Sequence, residues 1–252
     1  MYHFFVDENQ IDIENKRFYI EGSDVNHIKN VLRLQKGDEI SLSNGIDGKD
    51  YRCGIVSMEN DRVEGELYFI KEDELELPSK VILFQGLPKA DKLELIIQKA
   101  VELGAYEVVP VSMKRCVVKL DEKKATSKEK RWQQISEAAA KQSKRRIIPK
   151  VSRPMTMKQA LEYAKELDVV LLPYELSEDS KATVEIMEGL KPGQSIGIFI
   201  GPEGGFDEDE VLLAKEAGAV PVSLGKRILR TETAGMTLLS IVMYYLEIKN
   251  TL

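Results

Sequence analysis

The run Ile196-Gly-Ile-Phe-Ile200 is apolar at every position that carries a side chain. That pattern narrows the choice of fold more than anything else in the chain. A strand wetted on one face alternates apolar and polar residues. One that is apolar on both faces must be covered on both, as in a parallel sheet between helices. Short, largely apolar runs recur at Val81–Phe84, Tyr106–Val109, Val117-Val118, Val169–Leu172 and Val220–Leu224. Helical periodicity falls between them, near 90–103, 127–144, 156–166, 207–217 and 232–248. The alternation predicts an α/β unit with a mostly parallel sheet. Ligands of such sheets bind just beyond the carboxyl ends of the strands.

The opening residues have another texture. Strand-like runs at Phe4–Val6, Arg17–Ile20, Glu39–Leu42, Tyr51–Val56 and Gly65–Ile70 are separated by turn signals such as Lys36-Gly37-Asp38 and Asn44-Gly45. One helix, opened by Ser23 or Asp24, interrupts them and runs through Leu32. This pattern predicts a small β-barrel. The polar linker Lys71–Pro78 sets the boundary, giving one domain over residues 1–74 and a second over 75–252.

Composition excludes several classes. No apolar run approaches the ~20 residues that span a bilayer, and the first residues lack the basic flank and apolar stretch of a signal peptide. A cytoplasmic, membrane-free protein is expected. Two cysteines and two histidines, without metal-ligand spacing, argue against a disulfide framework and a metal site. Met113–Arg153 holds 14 Lys/Arg against 4 Asp/Glu, a local charge of +10 in a chain of net −6. A confined basic segment suits a polyanion partner, or else a solvated helix face.

Two loops carry the chemistry. Gly201-Pro-Glu-Gly-Gly-Phe206 has neither the lysine of a phosphate loop nor the Gly-x-Gly-x-x-Gly spacing of a dinucleotide turn. Glu203 would repel a phosphate. Glycines here suit a close backbone approach to a flat ring, or else a tight strand-to-helix turn with no ligand. The second loop starts at Gly225, sets apolar Ile228 and Leu229 where a loop is usually polar, and enters a helix through Arg230-Thr-Glu-Thr. Arg230 and Glu232 at the mouth of a buried helix need partners, whether each other, the helix dipole or a ligand. Asp207 and Glu210 form a capping box for the preceding helix, and Gly218 ends it. The last helix is apolar nearly all round, and so must be buried in the core or against another subunit.

Gly201-Pro-Glu-Gly-Gly205 together with Leu224-Gly-x-Arg-Ile-Leu-Arg-Thr-Glu-Thr-Ala234 resembles the RsmE family, the ribosomal RNA small subunit methyltransferases E. Further matching stretches are His27-Ile-x-x-Val-Leu-Arg33-Leu, Lys89-Ala-Asp-Lys92, Gln98–Gly104, Arg115–Lys119 and Gln142–Arg145, so the likeness covers essentially the whole chain. It implies a PUA-like N-terminal β-barrel followed by a SPOUT-type α/β domain whose C-terminal segment forms a trefoil knot. It also implies a homodimer that uses S-adenosylmethionine to methylate N3 of one uridine in 16S ribosomal RNA of the small subunit. Carried over by position, the cofactor residues are Leu172, Pro173, Ile200, Gly201, Glu203, Gly204, Gly205, Leu224, Gly225, Ile228, Leu229, Arg230, Thr233 and Ala234. Arg230 and Glu232 are the catalytic candidates. Arg33, Lys36, Lys89, Lys92, Arg115, Gln142, Ser143 and Arg145 are the RNA-contact candidates. His3 departs from the family pattern, which often has arginine there, and Arg146 is assigned only to the general basic surface. Two other readings stay open: a ribosome-associated RNA-binding protein without catalysis, and a nucleotide enzyme using the Gly-rich loop as an anion nest.

Overall fold

A computed structural model describes residues 1–72, 75–174 and 180–248. The chain divides into two compact units, Met1–Glu76 with Ala140–Ile148, and Leu77–Ala139 with Pro149–Leu252.

In the first unit, β1 (Tyr2–Phe5), β2 (Ile11–Asp12), β3 (Arg17–Glu21), β4 (Glu39–Ser43), β5 (Lys49–Met58) and β6 (Arg62–Glu72) form one sheet in the order β1-β4-β5-β6-β3-β2. The short α1 (Ser23–Asn26) continues as a wide turn over His27–Val31. One face of every long strand converges on a single core that includes Phe4, Phe18, Ile20, Leu42, Cys53, Ile55 and Val63, with Val25 and Ile28 set into it. A sheet whose separate strands share one core must curl around it, and register shifts in β5 at Arg52/Cys53 and Ile55/Ser57 supply the bend. The opposite face is polar yet buried at Ser41, Ser43 and Asp50, because residues 140–148 return to this unit.

That return segment is fastened by two carboxylates. Glu76 accepts from Arg145 Nε at 3.0 Å and Nη2 at 2.5 Å, and from the backbone amides of Arg146 and Ile147 at 2.8 and 3.0 Å. Asp50, wholly buried, accepts from Arg146 Nη2 at 3.0 Å, Arg52 Nη2 at 2.7 Å and Ser41 Oγ at 2.6 Å. Buried charge is tolerable only when paired in this way. Arg146 is therefore an internal anchor, which corrects its assignment to the basic surface.

The second unit is built from β7 (Lys80–Gly86), α2 (Lys92–Glu102), β8 (Glu107–Ser112), α3 (Glu122–Gln142, up to Ala139), β9 (Lys150–Val151), β10 (Met155–Thr156), α4 (Met157–Ala164), β11 (Val169–Pro173), α5 (Ser180–Glu188), β12 (Ser195–Ile200), α6 (Glu208–Glu216), β13 (Val220–Val222) and α7 (Thr231–Met243). Its sheet runs β10-β8-β7-β12-β11-β13, with β9 also on β8, and every pairing is parallel. β7 and β12 lie at its centre, with Phe84 stacked on Phe199 at 4.4 Å between ring centres. Both strands are buried at nearly every position, as runs apolar on both faces require.

Some expectations fail here. Val117-Val118 forms no strand; it lies in the extended connection after β8, whose two edges are already taken by β7 and by β9 and β10. α5 and the two-residue strands β9 and β10 had no readable signal. α7 buries Gly235, Leu238, Leu239 and Val242, but Met236, Ile241 and Met243 are half-buried and Tyr244 and Ile248 exposed. Among the described residues one face of that helix is covered and the other is left partly open. Residues 73 and 74 of the linker and 175–179 after β11 lie outside the described residues.

Candidate functional site

Because the sheet is parallel, the carboxyl ends of β7, β11, β12 and β13 open on one side, and the loops that follow them meet there. The end of β7 shows how tightly. A side chain at Gly86 would put its Cβ 2.7 Å from the backbone nitrogen of Pro202, so only glycine lets the two loops pass. β11 and β13 pair Pro173 with Val222, and the amide of Tyr174 donates to the Val222 carbonyl. Ser223–Arg230 then runs to α7.

Two buried polar side chains tie these ends together. Gln85 is polar in a strand apolar on both faces, and a buried amide must find partners. Its Nε2 donates to the Gly86 carbonyl at 3.0 Å and to Thr231 Oγ1 at 2.8 Å. Thr231 Oγ1 in turn donates to the Gly201 carbonyl at 2.6 Å. One hydroxyl thus joins β7, the β12 loop and the first turn of α7. Gln85 Oε1 is buried with no hydrogen-bond partner. The sequence reading missed both residues. A glutamine ending a two-sided apolar strand was the signal available for one of them. The reading chose Thr233, which is exposed, over the buried Thr231.

The Gly-rich loop is clamped from several sides. The Glu203 carboxylate accepts from the amide of Lys89 at 3.0 Å and lies 3.2 Å from Lys92 Nζ. Burial pushes the Glu203 carboxyl up, but backbone amides and the Lys92 ammonium outweigh it and hold it below its ordinary value. Arg115 Nη1 donates to the Gly204 carbonyl at 3.1 Å. The amide of Lys114 donates to the buried Glu210 at 2.8 Å, and Lys114 Nζ pairs with Asp207 at 2.8 Å. Asp207 caps α6 as expected, with Glu210 Oε2 accepting from its amide at 3.1 Å.

Arg230 and Glu232 do not pair with each other. Glu232 Oε2 faces Lys92 Nζ at 3.4 Å. Arg230 precedes α7, makes no side-chain cap, is exposed, and carries no ion pair among the described residues. Around it, Gly225 adopts φ +100° with open space where a Cβ would be, Leu224 and Leu229 are half-buried, and Ile228 is 86% exposed. Leu172 and Ile200 floor the strand ends, and Pro173, Gly201, Gly205 and Ala234 are half-buried beside them. Isolated apolar exposure on a loop of this kind suits a planar apolar group better than a phosphate. Glycine backbone and apolar side chains fit an adenine ring, and the exposed cations Lys226, Arg227 and Arg230 share the same loop. Among the described residues no cluster of His, Cys, Asp or Glu suits a metal ion.

The remaining candidates divide between the units. Lys89 and Arg115 are exposed in the second, where Lys92 is half-buried between two acids. In the first, Arg33, Lys36 and Gln142 are exposed and Ser143 is half-buried. Arg145 is buried on Glu76 and is not offered to solvent, which removes it from the RNA contacts.

Comparison with known proteins gives a consistent result. Residues 75–243 match the model of an RNA methyltransferase domain, and residues 20–68 match that of an RNA methyltransferase PUA domain. The chain is 40% identical over 252 residues to the ribosomal RNA small subunit methyltransferase E of Bacillus subtilis (strain 168), covering 98% of each. It is 37% identical over 243 residues to the protein of the same name from Mesomycoplasma hyopneumoniae (strain 232), covering 95% of this chain and 98% of that one. The crystal structure of the ribosomal RNA small subunit methyltransferase E from Neisseria gonorrhoeae bound to S-adenosyl methionine superposes with a TM-score of 0.76 at 30% identity, over 95% of both chains.

Proposed function

This chain belongs to the ribosomal RNA small subunit methyltransferase E family, and from that premise we propose that it methylates N3 of a uridine in 16S ribosomal RNA. It is an RNA methyltransferase that uses S-adenosylmethionine. When bound, that cofactor supplies a methyl group activated on a sulfonium centre. The loops at Leu172-Pro173, Ile200–Gly205 and Leu224–Ala234 would hold it.

The observation that carries the residue-level reading is Arg230, an exposed cation at the mouth of α7 that carries no ion pair among the described residues. Uridine N3 bears a proton at neutral pH, and its lone pair is drawn into the ring amide system. N3 must lose that proton before or as the methyl group arrives, and deprotonation spreads negative charge over N3 and the two ring carbonyl oxygens, which the new N3–C bond then discharges. A fixed guanidinium aimed at those oxygens stabilises the charge where it develops. Glu232 is engaged by Lys92 and serves loop geometry, so the N3 proton passes to solvent. The target base must be splayed out of its stack to reach the rim. Arg33, Lys36, Lys89, Arg115, Gln142 and Ser143 bind the surrounding RNA. The apolar residues left open on α7 and its extension, Met236, Ile241, Tyr244 and Ile248, support a homodimer of the α/β domain. The trefoil knot is proposed from family likeness. No helix among the described residues is long and apolar enough to cross a membrane, and we place the protein in the cytoplasm with the ribosome.

Nucleoside analysis of small-subunit RNA incubated with the protein and labelled S-adenosylmethionine tests the reading. N3-methyluridine should appear. Label on another base, or cofactor binding without any transfer, would overturn it.

A further inference from the structure

We infer that Lys92 is a positioning residue, a strut whose ammonium joins the Glu203 carboxylate of the β12–α6 loop to the Glu232 carboxylate of α7, and not an RNA contact. The inference rests on the assignment of those two segments to the cofactor site.

Three observations carry it. The first is geometric. Lys92 Nζ lies 3.2 Å from Glu203 Oε1 and 3.4 Å from Glu232 Oε2, and these acids, one on a loop and one on a helix, would otherwise face each other as like charges. The second concerns solvation. The three side chains are only 31, 28 and 17% exposed, so water screens them less than an ordinary surface pair. Glu232 Oε2 is buried and makes no hydrogen bond, which leaves the ammonium as its compensating charge among the described residues. The third is convergence. Glu203 Oε1 also accepts from the amide of Lys89, so the loop after β7, the Gly-rich loop and the start of α7 meet at one point.

The same arrangement argues against RNA. A phosphate approaching Lys92 meets two carboxylates around one ammonium, a local charge of −1. Lys89, three residues earlier, is exposed and its side chain carries no ion pair among the described residues.

The test is calorimetric titration of the full-length protein with S-adenosylmethionine, alongside salt-dependent binding of small-subunit RNA. Lys92→Met should weaken cofactor binding by about tenfold or more, since two facing carboxylates lose their shared cation. Lys92→Arg, which keeps the charge, should stay within about threefold of the parent. Lys92→Met combined with Glu232→Gln should recover part of the loss, because removing one acid removes the repulsion; a change in packing alone would not be rescued in this way. The slope of RNA affinity against salt should be the same in Lys92→Met as in the parent. A slope lowered by about one would identify a phosphate contact and overturn the inference. So would unaltered cofactor affinity in Lys92→Met, or no recovery in the double variant. If Lys92→Met fails to fold, Glu232→Gln alone should cost cofactor affinity by a smaller factor than the full strut, and no change would overturn the inference. Failure of the parent protein to bind S-adenosylmethionine would instead sink the cofactor assignment beneath it.

Discussion

Thr231→Val removes one hydroxyl from the centre of the site and leaves the side chain's volume almost unchanged. No cavity forms, so the loss reports hydrogen bonding. In the parent, the hydroxyl donates to Gly201 at 2.6 Å and accepts from Gln85 Nε2 at 2.8 Å. Valine leaves a carbonyl and an amide hydrogen unpaired in a buried setting, each costing about 1–3 kcal/mol. Gln85 Nε2 keeps its bond to Gly86, and Gly201 is half-exposed so that water can reach it. Both facts pull the sum toward the lower end, about 2–4 kcal/mol. Urea unfolding followed by circular dichroism, with an unchanged m-value, measures it. Thr231→Ser restores the hydroxyl and should recover most of the loss. The same valine variant should bind S-adenosylmethionine more weakly, since the Gly-rich loop and α7 lose their common tether. A destabilisation below about 0.5 kcal/mol, or a serine variant as impaired as valine, would refute the reasoning.

Arg230→Ala should reduce methyl transfer by about a hundredfold or more while cofactor affinity shifts only a few-fold, and equal losses in single-turnover rate and in calorimetric affinity would contradict a chemical role. Glu76→Gln should destabilise the protein by about 3 kcal/mol, because it neutralises the carboxylate that the buried Arg145 guanidinium pairs with, and thermal melting against Glu72→Gln as an exposed control reads this out. His3 is lowered from its ordinary value to about 4, first by desolvation and then by Arg146. The unfolded chain therefore takes up the proton first. The stability tied to neutral His3 is complete above pH 6.5 and is lost as pH falls toward about 4, so the stability difference between the parent and His3→Gln should change across that window and be flat above it.

The parallel sheet was readable because β7, β8, β11 and β12 are apolar on both faces, a pattern that only burial on both sides explains. The candidate site was legible where backbone chemistry shapes its loops. Gly201, Gly204, Gly205 and Gly225 announce loops that other residues would not form, and Asp207 with Glu210 announces the helix that follows. Pairing was not readable. Glu232 meets Lys92 and not the Arg230 two positions away, and Arg145 and Arg146 point inward, because partners distant in sequence decide which way a charged side chain turns. Charge counting saw +10 over Met113–Arg153 and could not tell the two anchoring arginines from exposed ones. Gln85 sits just past the apolar run Val81–Phe84, and its being polar there was a signal of a buried partner that the pattern could not name.

The first unit is not continuous in the chain. Its buried Asp50 waits for Arg146, almost a hundred residues further on. During synthesis, then, the amino-terminal sheet emerges with a carboxylate held by Arg52 and Ser41 but still lacking Arg146, on a face meant to be covered, and it stays incomplete until all of α3 has followed. Excising residues 1–76 as a stand-alone RNA-binding module would reproduce that unfinished state. A fragment extended through Ile148 would carry the missing piece, though with the strands of an unfinished second sheet attached. The two halves of this protein are therefore coupled in their making.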